Sequence, residues 1–269
     1  MFPGRAAVAR ACEDRAVADD EWAVQADRFA DEAYASVKGG VRTYVLHRQL
    51  TAHLPVPPGS VLDVGGGAAH RSLPLARLGY DVTVLDSSPA MLDRARERVA
   101  SEPAEVRRCV RLVRGRGEDA AALVGEAGFD AVTCHGVLMY LDDPEPLVRE
   151  LCRCARPGGV VSVMALNART MAVLPAVERR WDDALAAFDA TRRTGVLGAE
   201  TRGDTVESMS ALLRANGVEP LAWYGVWWLD LPTEGTDVAA VAAVELAAAA
   251  RDPYRQLSRV FHLVGRRPG

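Results

Sequence analysis

Val61 to His70 read VLDVGGGAAH, and no other stretch constrains this chain as much. A short apolar strand containing an acid runs into three glycines before a helical segment begins at about residue 70. Glycines at that place let the backbone turn sharply and approach a ligand that side chains would hold off. The strand-to-helix rhythm then repeats. Apolar runs at 60–64, 80–85, 108–113, 129–134 and 159–165 read as strands, with helical stretches at about 70–78, 89–100, 118–125 and 143–155 between them. Short apolar strands alternating with helices imply a parallel sheet covered on both faces, a doubly wound α/β architecture.

The flanks follow other patterns. Helical spacing starts near Glu21, with Trp22, Val24, Phe29, Ala33 and Tyr34 as inward positions. Lys38-Gly39-Gly40 is expected to interrupt it before a second helix at 41–53, and PVPPGS at 55–60 breaks the chain ahead of the first strand. Beyond Ala165 the pattern predicts a long helix at roughly 169–190, a polar loop RRTGVLGAETRGD and a helix at 205–215. A strand at 219–229, an Ala-rich helix at 236–250 and a last strand at 257–265 follow. Residues 1–20 are expected to form a flexible tail, and 21–269 one domain with N-terminal helices and a late helical insertion. Trp223, Trp227 and Trp228 fall in the predicted strand at 219–229. Alternation assigns them to core or dimer packing rather than to a base-stacking platform.

In an open parallel sheet the ligand lies outside the carboxyl ends of the strands, so strand ends carry the functional signal. The first strand closes on Asp63-Val64-Gly65-Gly66-Gly67, and the second on Asp86, nineteen residues after Gly67. An acid at that offset can accept hydrogen bonds from both ribose hydroxyls of an adenosine. The third is followed by GRGEDA, where backbone and acid can meet an adenine edge, and the fourth ends at Cys134-His135. A dinucleotide loop of the form G-x-G-x-x-G would need glycine where His70 stands. Asp-x-Gly-x-Gly suits S-adenosylmethionine instead, which has no pyrophosphate for the helix N-terminus to accept. Ala69 stands where a further glycine is often found, and is compatible with the loop if its φ is negative.

Charge and cysteine usage narrow the remaining classes. The 269 residues carry a formal net charge of −4, so the chain as a whole is no electrostatic trap for nucleic acid. Five cysteines lie scattered without a Cys-x-x-Cys pair, which gives no zinc spacing. Cys152 and Cys154 fall in an amphipathic helix, where burial is the expected role. No signal-peptide pattern is read at the N-terminus, and no run approaches the ~18 apolar residues of a membrane span. A cytoplasmic protein is therefore expected, with no membrane contact.

With these residues in place the chain resembles the class I S-adenosylmethionine-dependent methyltransferases. Within them it is similar to the bacterial tRNA 5-carboxymethoxyuridine methyltransferases. The likeness rests on DRFADEAYASVKGGVR at 27–42, LDVGGG at 62–67, CHGVLMYLDDP at 134–144, LNAR at 166–169 and RDPY at 251–254. It implies a Rossmann-like, seven-stranded sheet, mostly parallel with an antiparallel last strand made by a closing hairpin, and an N-terminal helical extension. It also implies S-adenosylmethionine as cofactor, S-adenosylhomocysteine as product, and a carboxylate as methyl acceptor.

Carried over residue by residue, the resemblance places Gly65 and Gly66 under the methionine part of the cofactor, with Gly67 in the same cofactor-binding loop, and Arg42 on its carboxylate. It places Asp86 on the ribose, Gly117 and Glu118 at the adenine, and His135 beside the methionine, with Asp63 as a generic cofactor position. Tyr34, Lys38 and Tyr140 are candidate acceptor contacts. A carboxylate acceptor needs no base, whereas an amine or phenol would call on His135 or His70. Residues 178–204 hold five arginines against six acids, a balance that suits a small-molecule acceptor as well as tRNA. The Arg-rich run at 107–116 is expected to flank a sheet edge. A cofactor-binding protein without turnover, a nicotinamide oxidoreductase and a homodimer stay open at this point.

Overall fold

The structure is a computed structural model and describes residues 36–194, 199–228 and 237–269. The expected tail, the helical pattern from Glu21 and Tyr34 lie outside the described residues. Helix α1 (Val37–Thr51) leads into β1 (Ser60–Val64), α2 (Ser72–Arg77), β2 (Asp81–Asp86), α3 (Pro89–Ala100) and α4 (Ala104–Arg108). Then come β3 (Val110–Arg114), α5 (Ala120–Val124), β4 (Phe129–His135), α6 (Glu145–Cys154) and β5 (Ala155–Asn167). The late part holds α7 (Val173–Val177), α8 (Trp181–Ala187), β6 (Arg192–Thr194), β7 (Glu200–Asp204), α9 (Val206–Ala215), β8 (Glu219–Val226), α10 (Val238–Ala249) and β9 (Val260–Arg266).

Seven strands form the main sheet in the order β3-β2-β1-β4-β5-β9-β8. The first five are parallel, and β9 runs antiparallel to both β5 and β8, as the closing hairpin implied. Period-two alternation divides the core. Val61, Val84, Ala131, Val160 and Val264 pack against α2 and α3, while Leu62, Leu85, Val132, Val161 and Leu263 pack against α5, α6 and α9. Cys152 and Cys154 are buried in α6, and burial raises both thiols to about 12, which keeps them protonated and inert. The Arg-rich run does flank an edge, because β3 ends the sheet. No helix among the described residues is long and apolar enough to cross a membrane.

Four local expectations need correction. Lys38-Gly39-Gly40 does not break the chain: α1 starts at Val37 and runs through it. Ser36 caps the helix by accepting the Gly39 N–H at 3.1 Å, and glycines in a capped first turn cost little. The long helix expected at 169–190 is broken into α7 and α8 at Arg179, whose φ is +60°. The polar loop at 192–204 contains the hairpin β6–β7, docked where Leu166 and Asn167 of β5 pair with Gly203 and Asp204. Finally, β8 stops at Val226 and Trp227 turns out of it with φ +63°, so Trp227 and Trp228 are not strand residues.

Candidate active site

The carboxyl ends of β1 to β4 bring together most of the predicted cofactor residues. Gly65 has φ +67° and Gly67 φ +54°, backbone conformations that glycine adopts without strain. A Cβ at Gly65 would lie 2.2 Å from Val137 Cγ2, and one at Gly66 2.8 Å from Val84 Cγ1 and 2.9 Å from Asp63 Oδ2. The loop therefore runs flush on its neighbours, with backbone alone between β1 and the crevice. The Gly67 N–H donates to Asp86 Oδ2 at 2.8 Å and the Ser88 N–H to Asp86 Oδ1 at 2.9 Å. Asp86 thus fastens the glycine loop to the start of α3. Burial raises its pKa against the pull of those two N–H groups. The Gly115 N–H donates to the Asp86 carbonyl at 3.0 Å, which brings the loop of Gly117 and Glu118 alongside. Gly117 sits too close to Leu147 and Val64 to carry a side chain, and Glu118 pairs with Arg116 at 3.2 Å.

Asp63 lies below this surface rather than on it. Its carboxylate is buried and accepts from Ser72 Oγ at 2.5 Å and Thr133 Oγ1 at 2.9 Å, tying β1, β4 and α2 together. Ala69 departs from expectation: its φ is +61°, not negative. A left-handed alanine costs roughly 1–2 kcal/mol. Its methyl is fully buried, however, against the α2–α3 side of the sheet. Ala69→Gly would relieve the strain, forfeit about 0.8 kcal/mol of methyl burial and raise unfolded-chain entropy by about 0.4–1 kcal/mol. These nearly cancel. The melting midpoint of Ala69→Gly is expected to stay within about 4 °C of the parent; a larger drop or rise would mean that one of the three contributions is misjudged.

A second group of residues gathers around Trp227. The Arg42 guanidinium stands 4.7 Å from its ring centroid, the Lys38 ammonium 5.4 Å and the Arg259 guanidinium 5.5 Å. Arg193 joins through Arg259, and Tyr140 lies within electrostatic range of both. Burial and then Arg259 push Arg193 down to about 10; burial and then Arg259 and Arg42 lower Lys38; burial lowers Arg259. Glu178 offsets Lys38, Arg193 and Arg259, and Glu245 offsets Lys38. Arg193 Nε and Trp227 Nε1 are buried donors without an acceptor among the described residues. Lys38, Arg42 and Tyr140 are candidates from the sequence; Arg193, Trp227 and Arg259 join them in the structure and have no sequence signal. No spacing links them, since they meet only where β6 docks and the β8–β9 hairpin opens. Arg42 also acts on His70, so this group adjoins the glycine loop.

Both candidate bases are held neutral. Burial, with Arg98, Arg71 and Arg42 behind it, lowers His70 to about 4. His135 is buried with its Nε2 2.8 Å from Ser162 Oγ, and burial, His262 and Arg71 hold it well below the usual histidine range.

Comparison with known proteins agrees with this arrangement. Residues 62–163 match the family described as a methyltransferase domain. Together with the sheet order and the closing hairpin, that match supports a class I S-adenosylmethionine-dependent methyltransferase, with S-adenosylmethionine as its cofactor. Over 251 residues, 90% of this chain and 94% of the relative, it is 26% identical to the tRNA 5-carboxymethoxyuridine methyltransferase of Escherichia coli O157:H7. Over 118 residues, 44% of this chain and 47% of the relative, it is 36% identical to the ubiquinone biosynthesis O-methyltransferase of Xanthomonas oryzae pv. oryzae strain PXO99A. The structure of magnesium protoporphyrin IX methyltransferase from Synechocystis PCC 6803 shares the fold, with a TM-score of 0.63 at 14% identity, covering 94% of this chain and 99% of that one.

Proposed function

We propose that this enzyme transfers the methyl group to a carboxylate oxygen of its acceptor. The observation that carries the reading is the convergence of Lys38 and Arg259 on the Trp227 ring, with Arg193 beside Arg259, in a chain of net charge −4. Desolvated cations beside Arg193 Nε and Trp227 Nε1, buried donors with no acceptor among the described residues, suit an anionic acceptor group. The weak basicity of His70 and His135 points the same way, because a carboxylate is already ionised at neutral pH whereas an amine or phenol would want a base that holds the proton it takes.

The cofactor residues divide the work in this reading. When bound, S-adenosylmethionine supplies a methyl group on a sulfonium, ready for in-line displacement. The Gly65–Gly67 backbone gives room for its methionine part, and Arg42 pairs with its carboxylate. Asp86 takes the ribose: each of its oxygens already accepts one N–H and keeps a lone pair for a hydroxyl. Gly117 and Glu118 border the adenine, and Asp63 and His135 brace the walls. Lys38, Arg193 and Arg259 orient the acceptor carboxylate, with Tyr140 at its side, so that the protein contributes alignment and exclusion of water. Residues 21–269 act as one domain in this account.

Carboxymethoxyuridine, the tRNA nucleoside for which the 26%-identical relatives are named, carries such a carboxylate, and this is the first acceptor to test. A small-molecule carboxylate is the second reading, favoured by the rim of the site. There Arg192 pairs with Asp142 and Glu200, Arg180 with Glu178 and Asp183, and Arg169 with Glu207, which leaves those guanidinia already engaged rather than ready for phosphates. Cofactor labelled in its methyl group, offered with tRNA and with carboxylic-acid extracts, should yield a base-labile methyl ester in one fraction. Label confined to amines or phenols would overturn the carboxylate reading. Arg193→Met is expected to raise the acceptor KM at least roughly tenfold, the loss of one charge-assisted contact, while cofactor affinity stays within about twofold. An unchanged KM would remove Arg193 from the acceptor site.

A further inference from the structure

A chain of buried polar side chains runs from His135 across the sheet beneath α1, and beyond His135 none of its members enters the chemistry above. His135 Nε2 lies 2.8 Å from Ser162 Oγ, and Ser162 Oγ lies 2.7 Å from His262 Nε2. His262 Nδ1 is 2.8 Å from Gln49 Oε1, and Gln49 Nε2 donates to the Gly225 carbonyl at 3.3 Å. All four side chains are at most 5% exposed. The direction of the chain is fixed from its far end. The Gly225 carbonyl can only accept, so the Gln49 amide faces it with nitrogen and turns oxygen toward His262. His262 must then donate from Nδ1 and accept at Nε2, Ser162 donates to His262, and His135 donates from Nε2 to Ser162. His135 is left with its lone pair on Nδ1.

Four strands and one helix are joined by this chain: β4, β5, β9 and β8 to α1. Its two ends lie beside the active site. His135 precedes Gly136, which opens the loop whose Val137 packs on Gly65. Gln49 stands seven residues after Arg42 on the buried face of α1, two turns or about 10 Å along the helix. Gly225, which Gln49 holds, lies two residues before Trp227, which Arg42 covers. Arg42 and Gln49 therefore clamp the same helix to the same end of β8, one by cation–π contact and one by a hydrogen bond.

We infer that the Gln49–His262–Ser162–His135 chain is a positioning network that fixes α1 in register on the sheet and so aims Arg42 at the cofactor. The inference rests on the reading of Arg42 as the cofactor-carboxylate contact. A network of this kind is costly to break, because each deletion leaves a buried donor or acceptor without a partner.

A double-mutant cycle on cofactor affinity separates positioning from simple structural support. Ser162→Ala and Gln49→Leu, checked for native circular dichroism, are each expected to raise the Kd for S-adenosylhomocysteine roughly tenfold, and by less than twofold when Arg42 is already alanine. Either variant leaving the Kd within twofold while lowering the melting midpoint would make the network merely structural, and full additivity with Arg42→Ala would do the same. If Arg42→Ala alone leaves the Kd unchanged, the cofactor role of Arg42 fails and this inference fails with it. A Kd raised by Arg42→Ala but not by Ser162→Ala overturns the network alone. Nitrogen-15 spectra of the parent should show His262 protonated on Nδ1 and His135 on Nε2; the opposite tautomers would overturn the direction of the chain.

Discussion

Between pH 7 and pH 5 the protein is expected to lose about 4 kcal/mol of folding stability, from two histidines each worth about 1.36 kcal/mol per pH unit. Burial, reinforced by His53, lowers His262 to about 3, and burial with His262 and Arg71 holds His135 well below the usual range. Above the unfolded value of about 6.5 both states are neutral and the native state keeps its full stability. As the pH falls below it, the unfolded chain takes up protons that the folded chain refuses, so stability declines until the folded pKa values are passed. The hydrogen-bond chain gives the local reason. His262 Nε2 accepts from Ser162, and a proton placed there would set one donor against another.

A loss of that size is a large share of the ~5–15 kcal/mol that holds a typical domain together. Urea titrations at pH 7, 6 and 5 measure it, and His262→Gln should reduce the slope by about half, if it folds. A stability that stays level from pH 7 to pH 5 would mean that these histidines are solvated or already charged. His70 is left out of this sum because it is only partly buried and solvent screens it.

Asp86→Ala is expected to weaken cofactor binding by at least ~1.5–3 kcal/mol, roughly a ten- to hundredfold rise in Kd, the range for hydrogen bonds to a charged group. The carboxylate also holds the Gly67 and Ser88 N–H groups, so its removal loosens the glycine loop as well as the ribose contact. Asp86→Asn separates these roles, since it keeps one acceptor oxygen but replaces the other with a donor. Calorimetry with S-adenosylhomocysteine is the measurement. If Asp86→Ala binds as tightly as the parent, Asp86 is only a bracket between the loop and α3.

Most of the proposed cofactor half of the site was legible because it is local. Gly65, Gly66, Gly67 and Asp86 sit at strand ends, and the hydrophobic period identifies strand ends without any tertiary information. Other elements were misread where a local rule met a tertiary contact. Gly39 and Gly40 read as a break, but the Ser36 cap and the packing of Val41 and Val45 on Ala242 of α10 carry the helix through. The hairpin β6–β7 read as loop because its strands are short and polar, and pairing with β5 is what makes it a sheet element. Ala69 looked acceptable only at negative φ, yet buried contact offsets much of its left-handed strain.

The sequence by itself determined the doubly wound sheet and the kind of cofactor; the closing hairpin came from the family resemblance. The first two follow from period-two apolar runs and from glycines and acids placed at strand ends. Tertiary structure decided which cations gather at the proposed acceptor site. Arg193, Trp227 and Arg259 are far apart in the chain from Lys38 and Arg42, and no periodicity relates them. They become one cationic group only because β9 inserts beside β5 and α1 lies across β8. Histidine chemistry was decided in the same way: His135 and His262 are separated by more than a hundred residues. Ser162 and Gln49, on other elements again, fix which nitrogen of each ring carries the proton.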